Sequence, residues 1–316
     1  MAAAYERLSD GLYLIDTGFI RPELAASYLV QGQDTCALVE VGTTLSGPRL
    51  LAALASLGVA REAVGYVIVT HVHLDHAGGA GTLMAALPNA KLVVHPRGAR
   101  HLIDPTKLIQ GAIEVYSAEI LSRHYGEIRP VPAARVIEAP DEYVVELGGR
   151  PLRILDTPGH AKHHFVVYDA HSRGVFTGDT FGISYRHLRG ADGPFVFPTT
   201  TPVQFDPAAL TQSMARMLAL NPERMYLTHY GVLEGPVAPY AERLQHLLNE
   251  HIRVARAIGA GPDAPSRIKA QLVEVLMASL REHHVDVNQS QALQLWDMDL
   301  TLNAQGLAIW IAKPVA

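Results

Sequence analysis

The segment Thr70-His71-Val72-His73-Leu74-Asp75-His76 carries three imidazoles and one carboxylate within six positions. In extended backbone, residues two apart project to the same side, so His71 and His73 can reach one cation. Asp75 and His76 then turn toward a neighbouring position as the chain enters a helix start at Gly78-Gly79. Imidazole and carboxylate suit zinc, iron or manganese. The segment directly follows the apolar run Tyr66-Val67-Ile68-Val69. Ionisable groups in such a setting carry a desolvation cost that metal coordination offsets. A solvated surface cluster of His and Asp is the competing reading, and the buried strand in front of it counts against that.

One loop cannot complete two sites, and further candidates recur in one kind of place. His160 follows the strand-like run 152–155 through Asp156-Thr157-Pro158-Gly159, Asp179 follows Val175-Phe176-Thr177-Gly178, and His229 follows Met225-Tyr226-Leu227-Thr228. Each stands at the carboxyl end of an expected strand, where sheet-based sites form. Singly, each has an ordinary explanation: Gly-Asp is a common turn, and His229 could be a core histidine. Their shared position is what carries weight.

The elements that must hold these residues read as follows. Short β runs are predicted at 12–16, 27–30, 36–41, 66–69 and 92–94, bounded by turn residues. Residues 50–57 have helical apolar spacing, stopped by Gly58, and 78–87 reads as a helix closed by Pro88. Residues 97–129 are predicted as a helical insert. Strand signals resume at 143–145, 152–155, 165–168 and 174–177, and a loop from Phe181 to Pro202 follows. Asp206-Pro207 opens a helix to Leu220, with Asp as cap and Pro in the first turn. Residues 224–227 read as a strand, and helices follow at 240–258, 266–282 and 289–311. The expectation is a β-rich αβ domain over 1–235, built of two packed sheets flanked by helices, and a helical C-terminal region over 236–316.

With 48% hydrophobic and 18% charged residues, the chain of 316 is a globular one with a sizeable core. A net charge of −5 argues against a nucleic-acid partner. The single cysteine, Cys36, excludes an intrachain disulfide and a Cys-rich zinc site, and sits in an apolar run as a small hydrophobe. The N-terminus shows neither signal peptide nor membrane span, so a cytoplasmic location and no membrane partner are the default expectations.

The ordered motifs Thr-His-Val-His-Leu-Asp-His at 70–76, Thr-Pro-Gly-His at 157–160, Thr-Gly-Asp-Thr at 177–180 and Leu-Thr-His-Tyr-Gly at 227–231 resemble those of the metallo-β-lactamase-fold hydrolases, with the glyoxalase-II-like branch as the nearest broad relative. The resemblance spans roughly residues 10–235. It implies an α+β fold, a four-layer αββα sandwich with the site at one edge, here with the helical insert and C-terminal appendage. It implies two divalent metal ions, zinc foremost and iron or manganese as alternatives. His71, His73 and His160 would bind the first, Asp75, His76 and His229 the second, and Asp179 would bridge them. The chain departs from the family in Glu40-Val41-Gly42, where Asp commonly stands in place of Glu40, and it lacks a convincing glutathione-binding set of basic residues. The helical tail and Glu40 also resemble the quinolone-response thioesterases of the same superfamily.

The resemblance implies hydrolysis of a thioester or ester of a small anionic organic substrate by a metal-bridging hydroxide, with Asp75 orienting the nucleophile and shuttling its proton. Phosphodiesterase or lactonase activity is the alternative on the same site. Persulfide-type dioxygenation by one iron fits less well, because the second-metal set is intact. A small-molecule-sensing regulatory protein is the non-enzymatic alternative. Substrate selection falls to the insert and the long loop, where Tyr185, His187 and Phe195 are candidate contacts. The competing reading has them pack the loop or face water. His163 and His164 read as support rather than ligands; His124, His171, His246, His251, His283 and His284 read as ordinary helix or surface residues. The apolar faces of the C-terminal helices, as at Leu244, Leu247, Leu248 and Ile252, read as core packing, with a homodimer interface or a pocket wall as the sharper alternatives.

Overall fold

The protein is described by a computed structural model covering residues 5–313 apart from Asp192 and Pro202, and for Tyr116 the backbone alone. The first four residues, read above for a leader, and the Pro202 end of the long loop therefore lie outside the described residues. Contacts divide the chain into two compact units. The first holds the residues up to Asp156, His163–Gly178 and Thr228–Gly231; the second holds Thr157–Lys162, Asp179–Leu227 and the chain from Val232 onward. The expected division at 235 follows chain order, whereas these units interleave.

In the first unit, β1 (Tyr5–Arg7), β2 (Leu12–Asp16), β3 (Ala26–Gln31), β4 (Cys36–Val39), β5 (Val64–Ile68), β6 (Lys91–Val94) and β7 (Val136–Glu138) form a sheet in that spatial order. Pairing is antiparallel from β1 to β4 and parallel from β4 to β7. Parallel neighbours need crossovers. These are supplied by α1 (Gly47–Ser56), by α2 (Leu74–Ala77) with α3 (Ala80–Ala86), and by the expected insert, which forms α4 (Pro96–Ile103), α5 (Thr106–Tyr116) and α6 (Ala118–Tyr125). Leu50, Ala53 and Leu54 recur at helical spacing and bury one face of α1 with Leu83, Met84 and Leu102 against Leu38, Val67 and Leu92. Each such leucine contributes about 1.5–3 kcal/mol. Cys36 lies in this core, and burial pushes its thiol up to about 11, so it is an inert apolar filler.

A second sheet runs antiparallel through β8 (Val144–Leu147), β9 (Arg150–Asp156), β10 (Phe165–Asp169) and β11 (Gly174–Gly178). Tyr28 of β3 meets Phe176 of β11 edge-on, with ring centroids 5.3 Å apart, so the two sheets pack face to face. Helices, sheet and sheet thus give three successive layers in this unit. The sequence showed no period for β1 or β7, which are three residues each.

Near one end of β9, buried Arg150 donates to both carboxylate oxygens of Asp169 and to the carbonyls of Asp10 and Gln31. Burial alone would raise the Asp169 carboxyl, but the bonds from Arg150 and Ser172 outweigh it and hold the group below the usual carboxylate range.

In the second unit, the expected long loop is organised rather than irregular. Ile183 and Phe197 exchange both backbone hydrogen bonds, at 2.9 and 3.0 Å, and β12 (Arg189–Gly190) pairs with β13 (Gly193–Pro194) between them. Strands of two residues leave no periodicity to read. Asp206 caps α7 (Pro207–Leu218) as expected, accepting from Ala208 N and Ala209 N at 3.0 and 3.1 Å. Then come β14 (Arg224–Leu227), the neighbouring β15 (Gly231–Glu234), and α8 (Ala238–Ile258), α9 (Ala264–Glu282) and α10 (Gln289–Ala312). Leu244, Leu247 and Leu248 are buried, as core packing requires. Among the described residues, no helix is long and apolar enough to cross a membrane. His251 is on a helix as expected, but it is wholly buried in α8, with Nδ1 2.7 Å from Leu247 O. Burial pulls its pKa down to about 4.

Two outcomes follow. Arg150→Ala leaves Asp169 buried without its cation and should cost about 3–5 kcal/mol, measured as a fall in the urea midpoint; an unchanged midpoint contradicts the pairing. His251 accepts a proton near 6.5 when unfolded but only near 4 when folded. Stability should therefore drop as pH falls from 6.5 toward 4, by up to about 3 kcal/mol. His251→Leu should remove that part of the slope in denaturation curves compared at pH 7.5 and 5.

Candidate metal centre

The parallel pairing of β4 with β5 brings their carboxyl ends to one edge, with Glu40 after β4 and Thr70-His71 after β5. The strand expected to reach Val41 stops at Val39 because Glu40 takes a left-handed φ of +64°. A non-glycine residue there costs about 1–2 kcal/mol, which the contacts below offset. Val41 N donates to His76 O at 3.0 Å and Gly79 N to Gly42 O at 2.9 Å, docking the histidine segment onto residues 40–43. A Cβ on Gly79 would lie 2.5 Å from Thr43 O, so this approach needs glycine. His73 precedes α2, and that helix carries Asp75 and His76. His229 joins the same unit because Ala26 N donates to Thr228 O at 2.8 Å and Tyr28 Oη to Gly231 O at 3.1 Å.

The hydrogen bonds fix which nitrogen of each imidazole is turned toward the others. His229 Nδ1 lies 2.8 Å from Leu24 O, and His76 Nδ1 lies 3.2 Å from Glu40 Oε1. Carbonyl and carboxylate oxygens only accept, so both Nδ1 atoms carry a proton, and in the neutral imidazoles both Nε2 atoms present lone pairs. Those two Nε2 atoms face each other at 3.3 Å, and Asp75 Oδ2 lies 3.2 Å from one and 3.6 Å from the other. A proton on either nitrogen would serve one of these contacts. A divalent cation serves all three, and the donor set fits it. Asp75, His76 and His229 accordingly form one group whose ligand atoms lie within 4.8 Å of one another.

His71 and His73 stand beside this group. Thr70 Oγ1 donates to Glu40 and accepts from His71 Nδ1 at 3.1 Å, leaving His71 Nε2 as a lone pair 2.9 Å from His73 Nδ1. Glu40, 1% exposed, also receives Thr70 N and Thr228 Oγ1, each at 3.4 Å. Glu40, His71 and His76 also come within metal-binding distance of each other. Because the Glu40 oxygens are occupied by these donors, its role is to orient His76 and the Thr70-His71 pair. The longer side chain in the aspartate position therefore still reaches the ligand loop. His163 and His164 flank His71, with ring centroids 6.3 and 4.9 Å away, as supporting residues.

In the second unit, His160 Nε2 lies 3.4 Å from Asp179 Oδ2, and His160 Nδ1 lies 2.7 Å from Thr199 Oγ1. The Thr157-Pro158-Gly159-His160 turn sits on α7: Asp206 N donates to Gly159 O at 2.8 Å and Ser213 Oγ to Pro158 O at 2.6 Å. Gly159 has φ of +132°, and a Cβ there would lie 2.3 Å from Leu210 N. Each unit thus brings its own expected ligands together: five in the first, two in the second.

The candidate substrate contacts are placed differently. Tyr185 is buried, with its hydroxyl donating to Asp299 at 2.9 and 3.1 Å. Phe195 is buried beside Phe197 and His283. Tyr185 and Phe195 are thus packed within their unit, and His187 is exposed.

The family model for the metallo-beta-lactamase superfamily matches residues 20–229. The chain belongs to that superfamily. Its fold is accordingly the metallo-β-lactamase α+β fold, and its members include hydrolases. The metallo-beta-lactamase fold-containing protein ST1585 of Sulfurisphaera tokodaii is 27% identical over 86% of this chain and 97% of that one. The ST1585 structure matches with a TM-score of 0.65 at 24% identity, over 95% of this chain and 99% of that chain. The acyl-coenzyme A thioesterase MBLAC2 of Bos taurus is 25% identical over 56% of this chain and 65% of its own length. A hydroxyacylglutathione hydrolase of Synechococcus is 28% identical over 48% of this chain and 47% of its own length. The chain thus spans nearly all of ST1585, but about two thirds or half of the relatives with named activities.

Sequence reasoning missed the hydroxyls around the site: Thr70 and Thr199 hold imidazoles, and Thr228 donates to Glu40. A signal existed for two of them, since a threonine directly precedes His71 and His229. Removing the carboxylate in Glu40→Ala should weaken metal binding about 10–100-fold, measured by competition with a chromogenic chelator. Wild-type affinity in a folded Glu40→Ala protein would show that Glu40 does not orient the ligands.

Proposed function

We propose that the protein hydrolyses acyl thioesters of an anionic organic carrier, using two divalent cations. His71, His73 and His160 would hold one cation, Asp75, His76 and His229 the other, and Asp179 both. Zinc is the leading candidate, and iron and manganese suit the same donors. Bound together, such cations supply Lewis acidity and a hydroxide at neutral pH. The observation that carries the hydrolytic reading is the convergence of the His76 and His229 Nε2 lone pairs with Asp75 Oδ2.

The chain's own groups have distinct tasks. His76 is wholly buried and Glu40 holds its outer nitrogen, so it serves as a fixed ligand. The Asp75 side chain is 24% exposed, against 8% for His229. Asp75 is therefore the carboxylate of this group that can orient the attacking nucleophile and hand its proton to the departing sulfur. No Ser or Cys nucleophile is required, and the buried Cys36 thiol is unsuited to one.

The thioester class is supported by two relatives, one named as an acyl-coenzyme A thioesterase and one as a hydroxyacylglutathione hydrolase. Each name describes an acyl group joined to a charged carrier. Identity of 25–28% over about half of this chain supports the class and leaves the acyl group open.

Chelation should abolish thioester hydrolysis, and returning zinc, manganese or iron(II) should restore it. In the metal-saturated protein, Asp75→Asn should lower kcat about 10²–10⁴-fold on acyl-coenzyme A or acylglutathione substrates in a thiol-release assay. Full kcat in that variant would remove Asp75 from the chemistry. Lactone or phosphodiester turnover without thioester turnover would replace the proposed substrate class.

A further inference from the structure

We infer that Asn303, on the C-terminal helix α10, is a positioning residue for the metal ligand His160, acting through the loop segment 198–200. The inference rests on the proposed role of His160 as a ligand.

Asn303 is fully buried, and its side-chain amide is used at both ends. Its Oδ1 accepts from Thr200 N at 2.6 Å and its Nδ2 donates to Pro198 O at 2.9 Å. Its own carbonyl accepts from Thr200 Oγ1 at 3.1 Å. These three bonds bracket Thr199 from both sides in sequence. One turn further along α10, a methyl group on Gly306 would overlap the Thr200 carbonyl oxygen, so the loop lies directly on the helix backbone. A buried amide with both ends satisfied by main chain fixes a segment more narrowly than apolar contact does.

The residue so bracketed, Thr199, is 1% exposed and holds His160 Nδ1 at 2.7 Å; Thr201 Oγ1 stands farther off at 3.4 Å. For His160 Nε2 to offer a lone pair, Nδ1 must carry the proton, and the Thr199 oxygen accepts it. That bond selects the tautomer and fixes the ring plane. Asn303 sets the loop, the loop sets Thr199, and Thr199 sets the imidazole. The C-terminal helix is then part of the metal centre, although it supplies no ligand.

The test uses the full chain loaded with cobalt(II), reading metal stoichiometry, stepwise affinity and the d–d absorption bands of Thr199→Val, Thr199→Ser and Asn303→Leu. Asn303→Asp, close in shape and lacking the donor to Pro198, carries the test should Asn303→Leu not fold. Thr199→Val and the Asn303 variant should each weaken one of the two metal equivalents at least tenfold and alter its bands, leaving the other equivalent unchanged. Thr199→Ser should keep the wild-type spectrum. Combining Thr199→Val with the Asn303 variant should add little to either alone, because both act through one bond. His160→Ala serves as the reference and should lose that same equivalent. A folded Asn303 variant with both equivalents at wild-type affinity overturns the inference while His160→Ala still loses one. If His160→Ala itself keeps both, the ligand assignment falls and the inference falls with it.

Discussion

Two imidazole nitrogens and one carboxylate oxygen, held within 3.6 Å of one another with their protons committed elsewhere, form the constraint around which this molecule is organised. Two neutral imidazole lone pairs and a carboxylate so placed repel one another, and Glu40 and the Leu24 carbonyl help hold them there. These two groups accept from the Nδ1 atoms of His76 and His229, so neither ring can turn its Nε2 away without breaking a bond. A cation converts this repulsion into binding energy, which makes metal binding and local stability one quantity.

The backbone serves the same end. Parallel pairing of β4 and β5 delivers Glu40 and His71 to one edge, and the left-handed turn at Glu40 ends the strand one step before the carboxylate is needed. Gly79 lets the histidine loop lie against residues 42–43, and Gly159 lets the His160 turn lie against α7. The core of leucines and valines beneath the first sheet is therefore more than filler, because it fixes the strands whose ends carry the ligands.

The candidate ligand residues stood out in the sequence because each combines a metal-binding side chain with a strand end and a small or turn-forming neighbour. The helical insert and the C-terminal helices were legible by their apolar spacing. Glu40 was visible as a departure from the family, but its task depends on the geometry of Thr70, His76 and Thr228, which no local pattern encodes. Asn303 was invisible, because its partners Pro198 and Thr200 lie about a hundred positions away and its own helix reads as ordinary core. The two-residue strands at 189–190 and 193–194 were missed for lack of period, and Tyr185 and Phe195 were read as substrate contacts because aromatic residues in a long loop suit a pocket and a packed strap equally well. That both are buried is a fact sequence does not report.

The most direct measurement is anomalous diffraction from crystals of the metal-loaded protein. A cation peak is expected between His76 Nε2, His229 Nε2 and Asp75, accompanied by a second peak at His71 and His73. Clear density for these side chains with no anomalous peak among them, under saturating metal, would contradict the assignment of this cluster as a metal centre.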